Sequence, residues 1–134
     1  MKQEYKFEKL EVWQLSKELV KEIYQITKKF PSDERFGLIS QINRAVISVA
    51  STIAEGSARS SKKDQAHFSQ IAYGSLMEIA CQLMIAQELD YLSAKEYSRI
   101  KERIDKIGNK LNALRRYQID GSNRLNSSTI QRFN

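Results

Sequence analysis

Tyr97, Ile100, Ile104, Ile107, Leu111 and Leu114 recur at alternating steps of three and four, the cleanest pattern in the chain. That spacing puts one apolar residue on the same side of an α-helix at each turn and cannot line the face of a strand. The same rhythm runs through most of the sequence. Leu15, Leu19, Ile23, Ile26 and Phe30 form one stripe, with Trp13, Val20 and Tyr24 beside it. Leu38, Ile42, Ala45, Val49, Ile53 and Gly56 form a second, and Phe68, Ile71, Ala72, Ser75, Leu76, Ile79, Leu83 and Ala86 a third. A single proline and five glycines leave few turns for a β-rich fold.

The punctuation agrees. Pro31 stops the first helix, and Ser32 is expected to cap the second, with Asp33 and Glu34 favourable in its first turn. Ser61 with Asp64, and Ser93 with Glu96, have the spacing of reciprocal caps. The expected helices cover about 8–29, 33–58, 62–91 and 94–117 of one 1–117 domain. Residues 118–134, rich in Asn and Ser, read as a mobile polar tail. Short loops between such helices predict an all-α, antiparallel up-down-up-down bundle.

The 134 residues fit one domain with a real core. No apolar run approaches the roughly 18 residues of a membrane span, and the charged N-terminus lacks a signal peptide's apolar stretch. The lone Cys81 allows no internal disulfide, so a cytoplasmic location is expected, with Cys81 as a small packing residue. His67 is the only histidine and lies about 21 Å along the helix from Cys81, too far for a nucleophile–base pair. Neither belongs to a metal-ligand cluster. "EGSAR" matches neither a nucleophile elbow nor a phosphate loop. An enzyme, a metal site and a cofactor are therefore not expected.

The formal charge of +6 is unevenly placed. Residues 93–134 carry ten cations against four acids, and residues 65–92 carry three acids and no Lys or Arg. On the fourth helix Arg99, Arg103, Lys106 and Lys110 share a narrow strip, extended by Lys95. Lys62 and Lys63 add charge near one bundle end. These seven are the candidate contacts to RNA or DNA phosphates; no base-reading module accompanies them, so binding would work by charge and shape.

A second apolar face is expected opposite the third helix's core stripe, on Tyr73, Met77, Ala80, Met84 and Tyr91. Ile47, Ala50, Ala54 and Ala58 widen the second helix's apolar sector. Such a patch predicts self-association. Arg44, Ser48, Ser51 and Glu55 form a polar line on the second helix, where Glu55 and Arg59 have the acid-first order of a four-residue pair. This line, with Tyr73, Met77, Met84 and Tyr91, is the candidate subunit contact.

"QINRAVISVASTIAEG", then Arg59 and "FSQIAYGSLMEIACQL", resemble the bacterial four-helix family of ribosomal RNA intervening-sequence proteins. "FEKLEVWQLSKELVKEIYQITKKFP" and "DERFGLISQINRA" fit it too, so the resemblance covers about residues 7–117. Arg44, Ser48, Glu55, Gly56, Arg59, Gly74, Ser75, Glu78 and Gln82 match its pattern. Thr52 and Ala80-Cys81 depart from it. The resemblance implies a ring-like homopentamer without enzymatic activity, some members being encoded within large-subunit ribosomal RNA genes. A related branch serves diversity-generating retroelements by binding nucleic acid and a reverse transcriptase. The alternative reading is accordingly a protein-interaction scaffold whose charge serves solubility.

Overall fold

The structure is a computed structural model that describes residues 4–126, with side chains described as far as Gly121. Four helices carry the fold: α1 (Glu11–Thr27), α2 (Leu38–Ser57), α3 (Lys62–Glu88) and α4 (Ala94–Asn126). Short 3-10 turns at Lys6–Lys9 and Ser32–Glu34 precede α1 and α2. The chain is all-α, with no strand among the described residues.

The core joins the stripes read from the sequence. Leu19, Ile23, Ile42, Leu76, Ile79, Leu83, Ile100 and Ile107 are almost fully buried, and Val46 and Val49 complete the centre. At about 25 cal/mol per Å2 of apolar surface, this burial is the main favourable term in folding. Between α2 and α3 the contacts run Gln41–Gln82, Ser48–Ser75 and Gly56–Phe68, one number rising as the other falls. Gly56 sets the closest approach: a Cβ there would stand 2.7 Å from the Cβ of Phe68.

Several boundaries differ from the expected ones. Helix α2 starts at Leu38, not 33, and Ser32 does not cap it. The Leu38 N–H donates instead to Glu34 Oε1 at 3.0 Å, so a carboxylate from the preceding turn fills the cap. Helix α3 stops at Glu88 because Asp90 adopts a left-handed conformation (φ 63°), and the Tyr91 N–H reaches back to the Ala86 carbonyl at 2.9 Å. This is a Schellman ending built without glycine, which hid it from the sequence. The caps at Ser61 and Ser93 do form. Asp64 N–H donates to Ser61 Oγ, and at α4 both halves close, Glu96 N–H to Ser93 Oγ and Ser93 N–H to Glu96 Oε1.

Helix α4 does not end at 117 but continues to Asn126. Gln118 is buried, and its Oε1 accepts the Ser69 hydroxyl of α3 at 2.8 Å. A polar residue at a buried helix position breaks the apolar rhythm, so the stretch read as tail. Residues 127–134 of that tail lie outside the described residues.

Candidate nucleic-acid and subunit interfaces

The basic strip of α4 faces α1, not open solvent alone. Glu22 lies between two guanidinium groups: Arg99 Nε donates to its Oε2 at 3.1 Å, and Arg103 Nε sits 2.8 Å from its Oε1. The second contact is an ion pair without hydrogen-bond alignment, since Glu22 Oε1 has no hydrogen-bond partner. Lys110 pairs with Glu11 at 3.1 Å. Three of the five cations in the strip therefore have carboxylates across the α1–α4 seam. Each such exposed pair contributes about 0.2–1 kcal/mol. Arg103 and Lys106, with Leu15 and Glu102, line a shallow groove there. Lys95 and Lys106 form no ion pair among the described residues. The seven candidate cations thus divide, with Lys62 and Lys63 at the far end of the bundle.

That end, formed by the Lys6–Lys9 turn, the α2–α3 linker and α4 near Tyr117, carries Lys6, Arg59, Lys62, Lys63 and Arg116, together with the acids Glu8 and Asp64. None of these forms an ion pair among the described residues. Lys62 is the best held: its stem runs along Gly121, and its Nζ stands 4.7 Å from the centre of the Tyr117 ring. The Arg59 guanidinium lies 4.7 Å over Phe68 and not against Glu55, because α2 ends at Ser57 and the linker turns Arg59 away. The expected Glu55–Arg59 pair does not form. Composition alone could not reveal this gathering, since its members come from three separate segments.

The opposite end uses its charges internally. Glu34 accepts the Leu38 N–H and the Tyr91 hydroxyl, the latter at 2.8 Å. The Leu38 N–H, then the Tyr91 hydroxyl, hold the Glu34 carboxyl below its usual range; the bond to Glu34 holds the Tyr91 phenol above its own. Glu96 is held low chiefly by Lys29, whose Nζ lies 2.7 Å away, and by the Ser93 N–H.

The candidate subunit residues also divide. Tyr91 is not on an outer face: the Schellman turn swings its ring to 5.4 Å from Phe30. Tyr73 and Ala80 pack against the core, Tyr73 next to Gly108 of α4. Helix α3 sits between α2 and α4 and so needs a wider inner face than a single stripe. Ser48 turns toward α3 and shares a hydrogen bond with Ser75 at 3.1 Å. Ser51 is exposed and bonds its own helix at the Ile47 carbonyl. Met77, Met84, Arg44 and Glu55 remain exposed.

The exposed apolar residues on this side are partly ones assigned elsewhere. Ile71, placed in the core stripe by spacing, is 43 % exposed, and Ile85 and Ile47 are similarly open. Cys81 is exposed, not packed. Gly74 lies among them at mid-helix, with nothing within 4 Å of where a Cβ would stand. A groove lined by Gln41, Arg44, Ser48, Ser75 and Glu78 separates the two helices. Beneath it the buried Gln82 donates to Gln41 and Glu78, while its Oε1 has no partner.

No cluster of three or more His, Cys, Asp or Glu suited to a metal ion occurs among the described residues. His67 is exposed, its ring edge-on to Phe68. No described helix is long and apolar enough to cross a membrane.

The profile of the 23S rRNA-intervening sequence protein family matches residues 8–113. The chain belongs to that family. The match spans α1, α2, α3 and most of α4, and it stops before Gln118 and the terminal turns of α4. Within the span matched to the 23S rRNA-intervening sequence proteins, Gly56, Ser48 and Ser75 lie at the α2–α3 contact. No curated protein matches the chain significantly.

Proposed function

We propose that the protein is a non-enzymatic, self-associating bundle that holds RNA or DNA by charge and shape. The observation that carries the reading is the convergence of Lys6, Arg59, Lys62, Lys63 and Arg116 at one end without carboxylate partners among the described residues. Cations without ion-pair partners on one end of a molecule repel one another, and a bound anion relieves that repulsion. The antiparallel up-down-up-down arrangement is supported by the falling partner numbers along α2–α3 and by Glu11–Lys110 and Lys29–Glu96 at opposite ends of α1 and α4.

Self-association draws support from the exposed apolar residues Ile47 of α2 and Ile71, Met77 and Ile85 of α3, the helix that also exposes Gly74. An exposed mid-helix glycine costs its own helix roughly 1 kcal/mol relative to alanine, and it allows a second helix to approach closely. A ring-like homopentamer is the assembly proposed, its subunit number resting on the family resemblance. The second reading, a scaffold for a protein such as a reverse transcriptase, is favoured by the pairing of Arg99, Arg103 and Lys110 with α1 acids, which leaves less charge for phosphates.

Binding to a structured RNA across a salt series distinguishes the two. Four to six phosphate contacts give a log–log slope of about −4 to −5. A flat salt response, or no binding at low salt, would leave the scaffold reading. Light scattering at low protein concentration tests assembly, and an unchanged mass in Arg44→Ala/Glu55→Ala would remove those residues from the contact.

A further inference from the structure

Between the Lys6–Lys9 turn, the end of α2, the start of α3 and the last core turn of α4 lies a cavity of about 210 Å3. It is smaller than the roughly 300 Å3 at which pockets begin to hold drug-sized ligands, so it suits one planar ring and not a large molecule. Its walls are Leu10, Ile53 and Leu114. Its polar floor is Thr52, Ser69 and Gln118, all buried. The Ser69 hydroxyl donates to Gln118 Oε1, which leaves the Gln118 amide N–H2 to offer a hydrogen bond to an occupant. Lys6 and Lys62 line it with Tyr117, a residue 59 % exposed although the Lys62 Nζ stands over one face of its ring.

Apolar walls, a few hydrogen-bonding groups inside, an open aromatic ring and two ammonium groups outside match one kind of ligand: a flat heterocycle joined to a phosphate. Lys62 adds a further indication. It occupies the first position of α3, where a cation opposes the helix dipole, and an anion at the mouth would relieve that cost.

We propose that this cavity binds a single nucleotide unit, with the base between Leu10, Ile53 and Leu114 and the phosphate at Lys6 and Lys62. The site rests on the nucleic-acid reading above and deepens it: the protein holds unpaired nucleotides, not duplex, at this end. A duplex keeps its bases stacked and cannot place one in the cavity, whereas an unpaired strand stacks a neighbouring base on Tyr117. A free nucleotide and an unpaired residue of a strand share the chemistry.

The test uses the full chain and three probes: fluorescein-labelled decauridylate, a likewise labelled RNA hairpin whose nucleotides are all paired because a non-nucleotide linker closes it, with as many phosphates, and uridine monophosphate. Anisotropy at low salt is expected to show tighter binding of decauridylate than of the hairpin. Tyr117→Ala should weaken decauridylate about tenfold and the hairpin less than twofold, with the unfolding midpoint unchanged. Lys62→Gln should make the decauridylate salt slope shallower by about 0.7. Uridine monophosphate should shift the NMR side-chain amide signals of Gln118 in the wild-type protein, a readout independent of any variant.

If the hairpin and decauridylate bind equally and Tyr117→Ala changes neither, the cavity assignment is overturned while the nucleic-acid reading stands. If no RNA binds and uridine monophosphate shifts nothing, both fall. If uridine monophosphate alone shifts Gln118, the site stands with a free nucleotide as its source.

Discussion

The two ends of the bundle hold similar residue types and use them in opposite ways. At the Glu34 end, acids and donors close on one another: Glu34 with Leu38 and Tyr91, Glu96 with Lys29 and Ser93. At the Lys62 end, Lys6 and Lys62 line a cavity and form no ion pair among the described residues. A polar group satisfied within the chain fixes a loop and has little left for a partner; one left open is available to a ligand. The difference separates an end whose polar groups are satisfied within the chain from an end whose cations form no ion pair among the described residues.

The strongest way to break this division is at the tight α2–α3 contact of the Lys62 end. Gly56→Ala puts a methyl carbon 2.7 Å from Phe68 Cβ, which no side-chain rotation relieves. Overpacking of this kind costs about 1–3 kcal/mol, outweighing the roughly 1 kcal/mol that alanine gains in a helix. A lower urea midpoint at unchanged slope is expected, with the cavity-lining signals the first to broaden.

A smaller loss is expected at the opposite end from Glu34→Ala. It removes the α2 cap and frees the Tyr91 hydroxyl, so the thermal midpoint should fall at neutral pH. Because the Glu34 and Glu96 carboxyls titrate below their unfolded values, their contributions are present above the unfolded value and lost as pH falls through the folded one. The gap between Glu34→Ala and wild type should therefore close in acid. Tyr91 has the opposite sign: its contribution is present below the unfolded phenol value and lost as pH rises through the raised one. A gap that persists below the acid transition would show that Glu34 acts without its charge.

The smallest effect is expected on the outer face. Gly74→Ala meets open space and should stabilise the isolated chain by about 0.5–1 kcal/mol. If that face is a subunit contact, the same methyl should lower the oligomer's mass at a given concentration. A stabilised chain of unchanged mass would make Gly74 a neutral surface position.

How much of this the sequence disclosed follows from the range of each interaction. Apolar spacing located all four helices, and Ser61 and Ser93 marked two starts, because periodicity and caps act within a few residues. The same local logic missed Glu34 as the α2 cap and Asp90 as the α3 terminator, since neither is the usual residue for its task. It also cut α4 short at Gln118, whose burial depends on a hydroxyl 49 positions away.

Which face of α3 turns inward was not local either. Tyr73 and Ile71 exchanged the roles their spacing suggested because α3 has neighbours on two sides, and only the packed bundle sets their directions. Charge behaved likewise. The sequence by itself determined the helices, the basic excess and the family. Tertiary structure decided which cations meet Glu22 and Glu11 and which stand open at the Lys62 cavity, because an ion pair depends on distance across helices that the chain order does not encode.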